Sequence, residues 1–457
     1  MVATQASRTV DVTQLIDAQP LSRFQVRVVA LCALVAVLDG MDTQVIGVAA
    51  PAIAANLGMP MSAFGPVFSA ALLGAMVGAF AMGPIADRIG RKSTLIAATL
   101  VFALFTFLTA FATSFESLVA CRFLVGLGLG GATPCFLALP SEYAPKHLRA
   151  TLVSLVWAGF PLGIMLGGFV ASYLLGFFEW HALFYVGGLL PLLAAGVLAV
   201  GLPESLKFLL ARGGDARRIE GIVRQVAPET PPDARLVAHE EKLPGVPVRH
   251  LFTEGRLVTT LLLWVPFFMA FGTLIVIVLW TPALLRESGM SVASAATVVG
   301  FHGLGSFFGM ASAGRLLERF GPLRTLLPAF VIGAACTAAL GTAGTSVALA
   351  AIYASLAGVF LGFGASGVVA LSALAYPTAI RSTGIGWAMG MGRLGQVFSP
   401  LLAGALLGAG QGVGGVFLAF GIAPLIAAAA VLALRWRAGA RGHAADEVAL
   451  GSAAPLH

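Results

Sequence analysis

The chain has 457 residues, of which 58% are hydrophobic and 10% charged, with a net charge of +7. Soluble domains carry about 25% charged residues, so these figures exclude an ordinary soluble enzyme, a disordered chain and a disulfide-rich secreted scaffold. The apolar residues fall into twelve runs of about 20, enough for helices to cross about 30 Å of hydrocarbon. They do not alternate as barrel strands do, so the fold class is an all-α membrane protein with 12 transmembrane helices.

The first 24 residues are polar and lack a signal-peptide core. Span one, about 28–50, contains Asp39 and Asp42. A carboxylate at the bilayer centre costs about 2.5–3.5 kcal/mol on insertion scales, so these acids should face the protein interior. Three residues apart, they lie near one helix face; polar packing or a helix break at Gly40 is the alternative reading. Span two, about 62–83, leads into GPIADRIGRK at 83–92, where Gly83 and Gly90 are read as allowing the tight turn that aims Asp87. Span three covers about 94–113. Span four, about 117–140, places Arg122 near its outer end, followed by a glycine run at 126–131 that lets helices approach closely. The next loop carries Glu142 and Arg149. Span five, about 151–175, has Trp157 in mid-helix, and span six covers about 182–202.

Residues 203–256 are strongly charged. Their 204–226 part can form helices on the membrane surface, and the Pro-rich part between 227 and 248 reads as linker. Span seven, about 258–281, is rich in aromatics and includes Phe271. Span eight, about 291–313, holds His302, and the loop after it holds Glu318 and Arg319. Spans nine and ten cover about 325–343 and 346–372, and Arg381 follows in the next loop. Span eleven, about 383–408, contains Trp387 and, close to the midplane, Arg393. Span twelve covers about 414–434. The expected organisation is thus a tail at 1–24, a six-helix bundle at 25–202, a central loop at 203–256, a second bundle at 257–436 and a tail at 437–457. If twelve spans alternate, nearly all Lys and Arg fall on one side, Arg286 being the clear exception; the positive-inside rule then makes both termini cytoplasmic.

The halves echo each other. GPIADRIGRKSTL from Gly83 matches GRLLERFGPLRTL from Gly314, and SEYAPKHLRAT from Ser141 matches AYPTAIRST from Ala375, both at offsets near 232. Parallel duplication of six-helix halves is a mark of secondary transporters, with substrate held near the midplane between halves. No P-loop, catalytic triad or zinc spacing occurs, and the four cysteines all lie within spans. No cofactor, metal or nucleic-acid partner is therefore expected, and an enzyme is disfavoured.

The loop at 83–92 resembles the loop between helices two and three of the major facilitator superfamily, and PESLKFL from Pro203 resembles the PES motif of its sugar-porter-like branch. DGMDT at 39–43, RFLVGLGLGG from Arg122, SEYAP from Ser141 and YPTAIRSTGIGWAMGMGR at 376–393 resemble the aromatic acid:proton symporter family, over essentially the whole chain outside the termini. The resemblance implies the major facilitator fold and proton-coupled import of a hydroxybenzoate, benzoate or phenylpropionate across a bacterial-type inner membrane, by a functional monomer whose partners are the acid, protons and lipid. It also implies roles for Asp39 and Asp42 without dividing the labour between them. In related proton symporters an Arg on helix four pairs with an Asp of helix one; here that is Arg122, with Asp42 the nearer partner and interfacial snorkelling the alternative.

The remaining site residues are read from their own chemistry. Arg393, a guanidinium near the midplane, can take a substrate carboxylate in a bidentate fork or form a buried pair. His302 can shuttle a proton, donate to substrate, or pack. Trp157, Trp387 and Phe271 are candidates for an aromatic slot around the ring of the acid. Asp87, Arg88, Arg91, Glu142 and Arg149, with Glu318 and Arg381 in the second half, can latch the cytoplasmic side; for the bases, setting orientation is the alternative. A porter of another organic acid or a sugar, a proton-driven exporter and a transporter-like receptor remain open as rivals.

Overall fold

A computed structural model describes residues 9–213, 216–227, 235–237, 248–253, 256–376 and 380–451. Two three-residue strands, β1 (Thr9–Asp11) and β2 (Arg235–Val237), and two short 3-10 turns accompany sixteen helices among the described residues. The helices are α1 (Val12–Asp17), α2 (Arg23–Asn56), α3 (Phe64–Ile89), α4 (Arg91–Thr109), α5 (Phe115–Tyr143), α6 (Lys146–Trp157), α7 (Gly159–Leu174), α8 (His181–Gly201), α9 (Leu206–Ala211), α10 (Ala216–Val226), α11 (Leu257–Glu287), α12 (Val292–Phe320), α13 (Pro322–Leu340), α14 (Val347–Ala375), α15 (Arg381–Gly408) and α16 (Val413–Gly451). Ten helical segments among the described residues are long and apolar enough to cross a membrane. The other two expected spans fall on α13, whose apolar stretch Arg324–Leu340 is shorter, and on α15, which carries Arg393 and Gln396 in its middle.

The helices divide into two compact units. One comprises Met1–Leu243 with Val292–Gly300, the other Pro244–Ser291 with Phe301–His457. In the first unit, α2 begins with a capping box: Ser22 Oγ accepts from Gln25 N, and Gln25 Oε1 accepts from Ser22 N. The expected fifth span is two helices, α6 and α7, that meet at Ala158. Pro161 has no N–H to offer the Trp157 carbonyl, so the hydrogen-bond ladder lapses there. Gly83 makes no turn, contrary to its reading in the sequence. It lies inside α3, and the reversal into α4 is made at Gly90, with φ +97°. The equivalent turn of the second unit, at Gly321, has φ +82°.

The N-terminal segment and the central stretch also differ from a tail and a linker. β1 pairs in parallel with β2, Thr9 opposite Arg235. Val12 and Ile16 of α1 are buried with Leu206, Leu209, Ile219 and Ile222 in the apolar core of the first unit. Most of the Pro-rich stretch lies outside the described residues.

Glycine closes helix seams within each unit. A Cβ at Gly40 would overlap the Phe160 carbonyl across α2–α7, and one at Gly395 would overlap the Phe268 carbonyl across α11–α15. A Cβ at Gly126 would strike Ala71 O across α3–α5, and one at Gly358 would strike His302 O across α12–α14. Gly126 and Gly358 stand 232 positions apart, as do Gly40 and Gly272, and Gly163 and Gly395. The sequence duplication is therefore also a duplication of backbone-to-backbone contacts.

Gly126→Val should destabilise the protein by about 1–3 kcal/mol or more through overpacking. Gly83→Ala, with nothing within 4 Å of the added carbon, should be neutral. Thermal unfolding of the purified variants measures both, and equal melting of the two would contradict the tight-seam account.

Candidate functional site

Two buried charges meet inside the first unit. Arg122 of α5 donates from Nη1 to Asp42 Oδ2 of α2 at 3.3 Å, with Arg122 0% and Asp42 4% exposed. α4 supplies two hydroxyls to this pair. Thr106 Oγ1 donates to Asp42 Oδ1 at 2.6 Å, and Arg122 Nη2 donates to Thr109 Oγ1 at 3.0 Å. The Phe184 ring of α8 lies 5.6 Å from the guanidinium carbon. Arg122 Nε has no hydrogen-bond partner among the described residues. A buried pair contributes little net stability, but losing one partner is costly, and that asymmetry suits a switch. Asp39 is half-buried one turn away, its backbone carbonyl accepting from Thr43 Oγ1 at 3.0 Å.

In the second unit Arg393 is half-buried on α15 and donates from Nη1 to Gln396 Oε1 at 3.3 Å. Phe271 of α11 packs against Gly392 and stacks on Phe267 with centroids 5.9 Å apart. Trp387, 46% exposed, stacks on Trp264 at 6.2 Å, and Phe252 meets Trp264 edge-on. The second unit thus gathers a cation and aromatic faces on α11 and α15. His302 is fully buried in the α12–α14 seam, its Nδ1 3.1 Å from the Ala354 carbonyl oxygen; Nε2 has no partner among the described residues. Trp157 ends α6 and packs on the core of the first unit.

A polar network closes the end of the first unit where the N-terminal segment docks. Arg91 pairs with Glu142, which also accepts from the Ser205 hydroxyl. Glu204 Oε1 accepts from Lys92 N at 3.0 Å and Ser205 N at 2.9 Å, so its carboxylate caps the N-terminus of α4. Tyr143 OH donates to the Glu204 carbonyl, and Gln25 Nε2 donates to the Tyr143 carbonyl, both at 2.6 Å. Asp17 of α1 accepts from Lys146 N at 2.8 Å and Arg149 Nη2 at 3.2 Å. Asp87 and Arg88 are exposed at the end of α3. Glu318 and Arg381 are exposed in the second unit, where Arg381 Nε donates to the Tyr376 carbonyl at 3.4 Å. Sequence reasoning missed Asp17, Thr106, Thr109 and the capping role of Glu204. The PES motif was the available signal for Glu204.

The sequence profile of the Major Facilitator Superfamily matches residues 32–356 and 313–454. The chain is 38% identical to the 4-hydroxybenzoate transporter PcaK of Pseudomonas aeruginosa, over 93% of this chain and 96% of that protein. It is 34% identical to the gallate transporter of Pseudomonas putida, over 95% and 97%. Its fold matches the xylose transporter XylE from E. coli with a TM-score of 0.70 at 20% identity, covering 88% of this chain and 94% of that one.

Arg122→Leu should cost about 3–5 kcal/mol of stability by stranding Asp42. Adding Asp42→Asn should recover part of that loss in a double-mutant thermal-unfolding cycle. Strict additivity would show that the pair is not coupled.

Proposed function

The chain belongs to the Major Facilitator Superfamily, and we propose that it is a proton-coupled carrier importing an aromatic carboxylate of the hydroxybenzoate, benzoate or phenylpropionate class. It is a multi-pass membrane transporter rather than an enzyme. Near full-length likeness to transporters named for 4-hydroxybenzoate and gallate supports the substrate class. The buried Asp42–Arg122 pair supports the coupling.

In this reading, ionised Asp42 holds Arg122 between α2 and α5. A proton on Asp42 removes the attraction and frees the guanidinium, so the two helices repack. Arg393 donates to both oxygens of the substrate carboxylate from its planar fork, and Phe271 and Trp387 offer faces to the ring. His302 and Trp157, packed inside their own units, shape helices rather than touch the ligand. In the first unit the Arg91–Glu142 pair and the Glu204 cap belong to a cytoplasmic latch with Asp87, Arg88 and Arg149, and Glu318 and Arg381 are the second unit's own latch residues. Both termini are cytoplasmic in this reading, which the basic loops support through the positive-inside rule. One proton with one monoanion is electroneutral, so the pH gradient alone drives uptake; a second proton would add about 2.3 kcal/mol per 100 mV.

Reconstituted in liposomes with an alkaline interior, the protein should accumulate 4-hydroxybenzoate, and Asp42→Asn should abolish the accumulation. Arg393→Ala should remove saturable binding of 4-hydroxybenzoate and benzoate in titration calorimetry. Uptake by Asp42→Asn equal to the parent would end the coupling assignment, and surviving affinity in Arg393→Ala would move the anchor elsewhere.

A further inference from the structure

The coupling pair is held by a third helix. Thr106 and Thr109 are three residues apart on α4, so both face the pair, and each is bonded to a different partner. Thr106 donates to Asp42 Oδ1. Thr109 spends its own proton on the Phe105 carbonyl at 2.7 Å and accepts from Arg122 Nη2 through an oxygen lone pair. Each Asp42 oxygen therefore has a donor: the threonine on Oδ1 and the arginine on Oδ2.

We propose that Thr106 is a positioning residue that directs the incoming proton to Asp42 Oδ2, and that Thr109 holds Arg122 once the pair has opened. The inference rests on the proton-coupled reading above. A proton can bind Oδ1 only if the Thr106 hydroxyl turns away, which would leave the Arg122 contact on Oδ2 in place. A proton on Oδ2 forms an O–H bond where the Arg122 N–H was accepted and breaks that hydrogen bond. Arg122 remains a cation and keeps Thr109 as acceptor; deprotonation of Oδ2 restores the pair. Thr106 thereby makes protonation and pair opening one event. Among the described residues, the titratable groups nearest along the helices are Asp39, three residues before Asp42 on α2, and Cys121, next to Arg122 on α5. From α7 and α8, the crevice beside Asp42 is lined by apolar residues such as Val170, Leu183 and Val186.

Thr106→Val, Thr106→Ala and Thr106→Ser separate the hydroxyl from the volume. In liposomes, two rates are compared for 4-hydroxybenzoate: accumulation driven by a pH gradient, and counterflow at equal pH. With a charge-assisted hydrogen bond lost, the ratio of accumulation to counterflow should fall about tenfold or more in Val and Ala, and Ser should restore it. If Val does not insert or melts early, Ala against Ser carries the same comparison. A parent-like ratio in Val or Ala overturns the inference while leaving proton coupling intact, and so does a Ser variant as impaired as Val. No pH-driven accumulation by the parent protein would remove the coupled reading itself, and this inference with it.

Discussion

Helix backbones in this protein touch, and the position of its charges depends on that contact. Between membrane helices there is no water to expel, so association rests on close van der Waals contact and a few hydrogen bonds. Hydrogen atoms at Gly40, Gly126, Gly358 and Gly395 let carbonyl oxygens lie where a methyl group would stand. The α2–α7 and α3–α5 seams fix the frames from which Asp42 and Arg122 project. A side chain inserted into either seam would displace helices by more than the tolerance of a 3.3 Å ion pair.

α4 then ties two polar regions of the first unit together. At its N-terminus it receives the Glu204 carboxylate and carries Arg91, which pairs with Glu142. Near its C-terminus it offers Thr106 and Thr109 to the buried pair. A 19-residue helix spans about 28 Å at about 1.5 Å per residue. One rigid rod thus contacts both the buried ion pair and the network at the opposite end, a physical link through which a change at one could be felt at the other.

The sequence exposed the groups that are expensive in a bilayer. Asp42, Arg122 and Arg393 stand out because a charge within a span needs a reason, and the loop echoes at offsets near 232 announced the duplication, though not the glycine contacts that share it. The supporting hydroxyls were not legible. Thr99 and Thr133 bond back to their own helices, as membrane threonines commonly do, and nothing in the sequence separates Thr106 from them. Asp17 was hidden because an acid in a polar tail looks solvated; only the fold brings it to the N-terminus of α6. The break at Ala158 follows from Pro161, yet a proline within an apolar run is equally compatible with a continuous, kinked span. Gly83 was misplaced for a similar reason: composition marks a turn without saying which of two glycines makes it.

The parallel pairing of β1 with β2 has a consequence for how the chain is made. Thr9 is synthesised more than two hundred residues ahead of its partner Arg235. At about 5–20 residues per second, the N-terminal strand waits through the synthesis of six spans before its mate exists. Val12 and Ile16 need Leu206 and Ile219 for their burial and wait with it. The docked N-terminal segment is therefore among the last pieces of the first unit to be completed. Its closure needs the first bundle and the stretch after it to have been made, and draws on no helix of the second.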